Sequence, residues 1–234
     1  MATKKVRIKV KKKKLKVKRI IICLIVIISL YFLVTYLIKQ PVKNIYIKGN
    51  NYVTDNEILQ LSGLSNYPSF LLTTSYEIKN NILVNDYIKE VKVIKKIGNK
   101  IYLEIEEYMP LCINIDGKLI LESGDKLENN YNITDIPLLI NNVDAIYDRF
   151  VSKLSLIDSN ILRQISQIEY VPNKVDNERF LFYMNDGNYV YVTLSKIKKI
   201  NKYHEITEEM AGNKGIVYLD SGDYVEIKEP VTEE

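Results

Sequence analysis

Histidine, cysteine and tryptophan are nearly missing from this chain: of 234 residues one is His, two are Cys and none is Trp. A lone His204 excludes a His-rich metal centre, and two cysteines fall short of the about four ligands of a structural zinc site. Cys23 lies in a long apolar run and Cys112 deep in an acidic stretch, so the two do not read as a structural disulfide. Phosphate-cradling GxxxxGK(S/T) and GxGxxG loops and the GxSxG elbow are absent as well. A Ser-His-Asp or Cys-His relay has only His204 to draw on, and Asn201-Lys202-Tyr203-His204-Glu205 reads as solvated helix. The composition therefore argues against an enzyme and implies no cofactor. With 47% hydrophobic and 26% charged residues, the chain is neither collagen-like nor random.

Charge is distributed unevenly. Residues 1–19 carry eleven Lys/Arg and no acid, and residues 20–38 carry no charge at all. Removing those eleven from the 33 basic residues leaves 22 against 29 acids, a net −7 for Lys39 to Glu234. The formal +4 of the whole chain thus describes none of its parts. The run Ile20–Ile38 is about 28 Å long as a helix, close to the ~30 Å hydrocarbon core of a bilayer. It lacks the short apolar stretch and small-residue cleavage site of a signal peptide, ending Tyr36-Leu37-Ile38-Lys39-Gln40-Pro41. It is expected to be an uncleaved transmembrane helix. Eleven basic residues before it, against Lys39, Lys43 and Lys48 after it, place the N-terminus in the cytoplasm and export the body. The Lys11–Lys14 run is read as a topology determinant touching anionic lipid, not as a nucleic-acid arm.

The first exported module is expected over Val42–Pro110. Val42–Ile47 reads as a strand ending at Gly49-Asn50. Thr54-Asp55-Asn56-Glu57 fits a capping box opening a helix that Gly63 closes, and Thr74-Ser75-Tyr76-Glu77 opens a second helix. Ile88–Ile94 and Ile101–Glu106 are strands joined through Gly98-Asn99. The order is strand, helix, helix, strand, strand, a small α+β layer. Glu104 and Glu106 point the same way on a strand and read as its wet face, not as an acid–base pair.

A second module is expected over Leu111–Glu229, with a short tail at 230–234. Asp116-Gly117 signals a type I′ hairpin, and Asp135–Ile140 reads as a short extended piece that Pro137 restricts to an edge or a strand start. Helices over Val143–Phe150 and Leu154–Ile161 and a strand over Ile165–Val171 follow. Phe180–Tyr183 and Tyr189–Val192 flank the turn Asn185-Asp186-Gly187-Asn188. Ser195 is expected to cap a basic amphipathic helix reaching Met210, and Gly215–Lys228 to return as a strand or bent hairpin through Ser221-Gly222-Asp223. The fold class is α+β: one N-terminal transmembrane helix, a β-α-α-β-β module, and a mainly antiparallel β domain with flanking helices. The 18 tyrosines alternate mostly with Val and Ile in these strands, so sheet packing accounts for most of them better than a glycan-stacking surface.

The first module resembles the POTRA domain of the FtsQ/DivIB cell-division family. The landmarks are the strand into Gly49-Asn50, the capped helix at Glu57, and Glu107-Tyr108-Met109-Pro110 after the last strand. The second resembles that family's membrane-distal β domain, through Asp116-Gly117 and the closing Tyr218-Leu219-Asp220. The resemblance implies a non-enzymatic protein of the division septum that supports assembly through protein contacts. Its implied partners are the bitopic division proteins FtsL and DivIC/FtsB. A terminal strand holding a partner's extended segment is implied as well, and it places the candidate surface at Ile216, Val217, Tyr218, Leu219, Asp220, Tyr224 and Val225, with Tyr218 and Tyr224 as anchors. The alternative is an exported, membrane-anchored cell-wall enzyme of sortase type using Cys112 and His204 with Arg163 or Arg179. Against it, Tyr108-Met109-Pro110-Leu111 replaces the threonine-rich strand expected before the cysteine, and the histidine follows the cysteine in the chain.

Overall fold

The computed structural model describes residues 16–227. Most of the basic tail and all of the 230–234 tail expected from the sequence lie outside them. Helix α1, Val17–Ile38, is 22 residues long and has no buried residue. At ~1.5 Å per residue it reaches about 33 Å, enough to cross a bilayer. It begins ahead of the apolar run because Lys18 and Arg19 are good helix formers and extend it without strain.

The chain divides into two compact units. The first comprises α1 and its exit to Lys48, Asp55–Val84 and Val91–Glu104; the second takes Gly49–Thr54, Asn85–Glu90 and everything from Ile105. Elements β1 (Asn44–Lys48), α2 (Asp55–Leu61), α3 (Ser75–Ile82), β2 (Ile88–Lys96) and β3 (Lys100–Glu107) follow in the expected order. The three strands form one sheet in the order β1-β3-β2, with β1 parallel to β3. Thr74 Oγ1 accepts from the Glu77 amide at 3.1 Å and starts α3. Gly98 and Asn99 both take positive φ, 88° and 59°, as a type I′ turn requires. Within the first unit, Ile58, Ile78, Ile82, Val91, Ile101 and Leu103 are buried. The opposite face of the sheet is wet. Glu104 sits there between Lys48 and Lys92, at 3.0 and 3.3 Å, and those two cations hold its carboxyl below the ordinary range.

In the second unit β4 (Pro110–Ile113), β5 (Leu119–Leu121), β6 (Lys126–Leu127) and β7 (Leu138–Leu139) come first. A 3₁₀ turn at Asp144–Ile146, α4 (Tyr147–Leu154), α5 (Ser159–Leu162), β8 (Ile165–Tyr170), β9 (Arg179–Met184) and β10 (Tyr189–Thr193) follow. A 3₁₀ run over Leu194–Lys202, α6 (Tyr203–Glu209), β11 (Gly215–Tyr218) and β12 (Tyr224–Ile227) close it. These strands make one nine-stranded sheet ordered β12-β11-β10-β9-β8-β7-β4-β5-β6. Most neighbours are antiparallel; β10–β11, β7–β8 and β4–β7 are parallel. Phe150, Leu154, Ile161, Phe180, Phe182, Val190 and Val192 lie in its core, with Phe150 stacked on Phe180 at 5.3 Å.

Two local expectations are corrected. The Asp116-Gly117 hairpin is not type I′, because only Gly117 takes positive φ (80°). The Asn114 carboxamide oxygen accepts from the amides of Asp116 and Lys118, and this Asx arrangement stabilises a type I turn followed by a left-handed glycine. The expected helix from Ser195 is a 3₁₀ run preceded by Thr193, with no side-chain cap. The physical reason is spacing: Leu194, Ile197, Ile200 and Tyr203 are all buried and recur every three residues. A helix with three residues per turn puts such positions on one line, which an α-helix does not.

Candidate partner-binding sheet edge

The segment Gly215–Ile227 is a hairpin, and its two strands have different surroundings. Strand β11 lies between parallel β10 and antiparallel β12; among the described residues β12 is the outermost strand and pairs on one side only. The parallel step from β10 to β11 needs a crossover, supplied by the 3₁₀ run and α6. Gly215 is required at the open end of the hairpin, opposite Ile227, since a Cβ there would lie 2.4 Å from the Glu226 carbonyl oxygen.

Register determines what the edge presents. Tyr191 is opposite Tyr218, and Tyr218 opposite Tyr224, so the three rings share the sheet face away from Val190, Val217 and Val225. Tyr191 stacks on Tyr218 at 5.4 Å, and Tyr218 on Tyr224 at 4.6 Å. The Arg179 guanidinium caps the inner end of this ladder, 3.8 Å from the Tyr191 centroid. Its Nε donates to Asp220 Oδ2 at 2.6 Å. Burial pushes the Asp220 carboxyl up, but the Arg179 hydrogen bond and charge outweigh it and hold the group below the ordinary carboxylate range. Lys196 Nζ donates to the Asp220 carbonyl at 2.6 Å, and Lys199 pairs with Asp223. The Tyr218 phenol is pushed up by desolvation and by its hydrogen bond to Glu226.

Of the seven residues named from the sequence, the structure brings Ile216, Tyr218 and Tyr224 to the outer sheet face, Tyr224 on the edge strand and half exposed. Val217 and Leu219 are buried instead, and Val225 is packed against the core. Asp220 is occupied by Arg179. Sequence reasoning missed Tyr191 and the role of Arg179. The alternation Tyr189-Val190-Tyr191 was the available signal for the first; the pairing with Asp220, 41 residues away, had none.

Three of the five landmarks near the first module converge. Gly49 has φ +90°, and a Cβ on it would lie 2.3 Å from the Ile105 carbonyl oxygen, so only glycine fits. Asn50 Nδ2 donates to the Val53 carbonyl at 2.9 Å. The Glu107 carboxylate accepts from the amides of Asn51, Tyr52 and Val53 at 2.9–3.0 Å. Glu57 is on the first turn of α2, and Pro110 opens β4 opposite Leu121.

Cys112 and His204 do not form a relay. The Cys112 thiol is fully buried in the core, and burial pushes its pKa far up. His204 is exposed, with its Nε2 3.0 Å from Gln164 Nε2. Arg163 pairs with Asp135 and Arg179 with Asp220.

Residues 40–108 match the family described as POTRA domain, FtsQ-type. The cell division protein DivIB of Bacillus anthracis is 31% identical over 225 residues, covering 92% of this chain and 84% of that protein. DivIB of Bacillus cytotoxicus is 32% identical over 86% of this chain and 84% of its own length. This chain belongs to the DivIB family. A looser likeness links it to the solved major extracytoplasmic domain of DivIB from Geobacillus stearothermophilus, 22% identical, with a TM-score of 0.38 over 45% of this chain and 96% of that one. In DivIB terms, the Gly49–Glu107 clasp falls inside the POTRA match, and the tyrosine ladder lies beyond its end.

Proposed function

We propose that this DivIB-family chain is a non-enzymatic assembly protein of the division septum. Helix α1 anchors it as a single span with the N-terminus in the cytoplasm, and the POTRA-like module (42–110) and β domain (111–229) are exported. The β domain holds the exported segments of FtsL and DivIC/FtsB as a strand added to β12. The observation that carries this reading is the one-sided pairing of β12 among the described residues, with Tyr224 half exposed on it. An edge strand offers unpaired amides and carbonyls, so main-chain pairing supplies affinity while aromatic side chains supply specificity. The POTRA-like module contributes recruitment.

Septal localisation tests the reading. A fluorescent fusion should form mid-cell bands, and deleting Val42–Pro110 while keeping the anchor and β domain should weaken them. Normal bands from that deletion would remove the recruitment role from the module. External protease added to wall-stripped cells should digest the body and leave a small fragment; full protection would refute the topology.

A further inference from the structure

Two turns of the first unit are fastened to the segment that leaves α1. The Ser69 hydroxyl donates to the Ile38 carbonyl, the last residue of the helix. The Phe70 amide donates to the Gln40 carbonyl, and the Val42 amide to that of Pro68, both at 2.9 Å. On the other side, Asn99 Nδ2 donates to the Pro41 carbonyl and the Lys43 amide to the Asn99 carbonyl, each at 2.8 Å. The first turn, Phe70–Leu72, is held from behind by Lys95. That ammonium lies 4.4 Å from the Phe70 centroid and donates to the carbonyls of Phe70 and Thr73.

These two turns carry large apolar side chains in the open. Leu71 is 52% exposed, Leu72 63% and Ile97 100%. Turn tips ordinarily hold polar residues, Gly or Pro, so leucine and isoleucine there call for an occupant. The covalent path supplies it. Ser69, next to the first turn, is hydrogen-bonded to Ile38, and Ile38 ends a 22-residue, mostly apolar helix long enough to cross a bilayer. Both turns therefore lie at the depth where that helix meets the membrane surface. Lys39, Lys43 and Lys96 are exposed around the same exit, where ammonium groups meet headgroup phosphates while their stems lie along apolar surface.

We propose that the Phe70–Leu72 turn and the Ile97 turn form a lipid-contacting foot, inserting Leu71, Leu72 and Ile97 into the bilayer interface beside α1. The foot rests on the reading of α1 as a span. It limits tilting of the first unit against the membrane, because three interfacial contacts add to the single attachment through α1.

The absence of tryptophan makes the test direct, since one introduced Trp is the only indole in the chain. Full-length protein is reconstituted in vesicles of phosphatidylcholine and phosphatidylglycerol, with or without bromine on the acyl chains near the headgroup. Leu72→Trp and Ile97→Trp should emit blue-shifted light and lose about half of their intensity to brominated lipid, as expected for interfacial depth. Val84→Trp, also apolar and 74% exposed but beyond the far end of α3, should emit as in water and stay unquenched. Phe32→Trp, inside α1, reports the span itself. Quenching of Phe32→Trp without quenching of Leu72→Trp and Ile97→Trp overturns the foot and leaves the anchor standing. A blue shift at the two turns without quenching overturns it too, in favour of cover by protein. No quenching at Phe32→Trp overturns both foot and anchor. Each variant is checked for the parent circular dichroism spectrum, and two independent turn positions guard against one misfolding.

Discussion

The ring of Tyr224 stacks on that of Tyr218 with centroids 4.6 Å apart and planes 16° from parallel. That contact continues the ladder Arg179–Tyr191–Tyr218 to the outermost strand of the sheet. Cross-strand aromatic pairs of this kind contribute about 0.2–1 kcal/mol each. The ladder therefore stiffens an edge that unpaired backbone alone would leave to fray, and it keeps Tyr224 in a fixed place at the rim.

Glu107 is expected to hold the Asn51–Val53 loop. Glu107→Ala leaves three amides without their acceptor and should lower stability by about 2 kcal/mol, read from urea unfolding of residues 39–234. Glu107→Gln, which keeps one acceptor oxygen, should lose less. Parent stability in both variants would mean that water replaces the carboxylate at no cost.

The order of elements in the first module was legible because turn and cap residues bracket each one: Thr74, Gly98 and Asn99 act locally, and the structure keeps their positions. What was not legible is what depends on distant partners. Strand β6, a hairpin partner of β5, is two residues long and too short to show a period, while the two-residue β7 between β4 and β8 and the parallel β10–β11 pairing are set by crossovers that no local pattern encodes. The 3₁₀ run was missed because Ile197 and Ile200 fit a helical period of 3.6 as well as 3.0; only Leu194 and Tyr203 together separate the two. In the candidate site the alternation of Tyr218 with Val217 was readable. The burial of Val217 and Leu219 in the core on one sheet face was not.

Cys112 should be inert in the folded protein. In a Cys23→Ser background, a maleimide at neutral pH should label Cys112 only on unfolding, because the buried thiol resists ionisation. Cys112→Ser should leave septal localisation intact at permissive temperature. Fast labelling of the native protein would reopen the enzymatic alternative.

Asp220 should give the hairpin an acid-sensitive lock. Its folded pKa lies below the unfolded-chain value of about 3.9, so its contribution is full above that value and is lost as pH falls through the folded one. Asp220→Asn leaves the Arg179 guanidinium, largely shielded from water, unpaired and should cost about 3 kcal/mol at neutral pH. The difference from the parent should shrink as pH falls through the folded pKa, where the parent carboxylate is protonated as well. A pH-independent difference in urea midpoints would show that the ion pair is not its source.

The most direct measurement of the central claim is the affinity of residues 39–234 for soluble segments of the proposed partners FtsL and DivIC, in the parent and in Tyr218→Ala and Tyr224→Ala. Truncating aromatic anchors of an interface costs at least about 1–2 kcal/mol, so each variant should bind about tenfold or more weakly while keeping the parent circular dichroism spectrum. Binding as tight as the parent's by both folded variants would contradict a partner surface on this sheet edge.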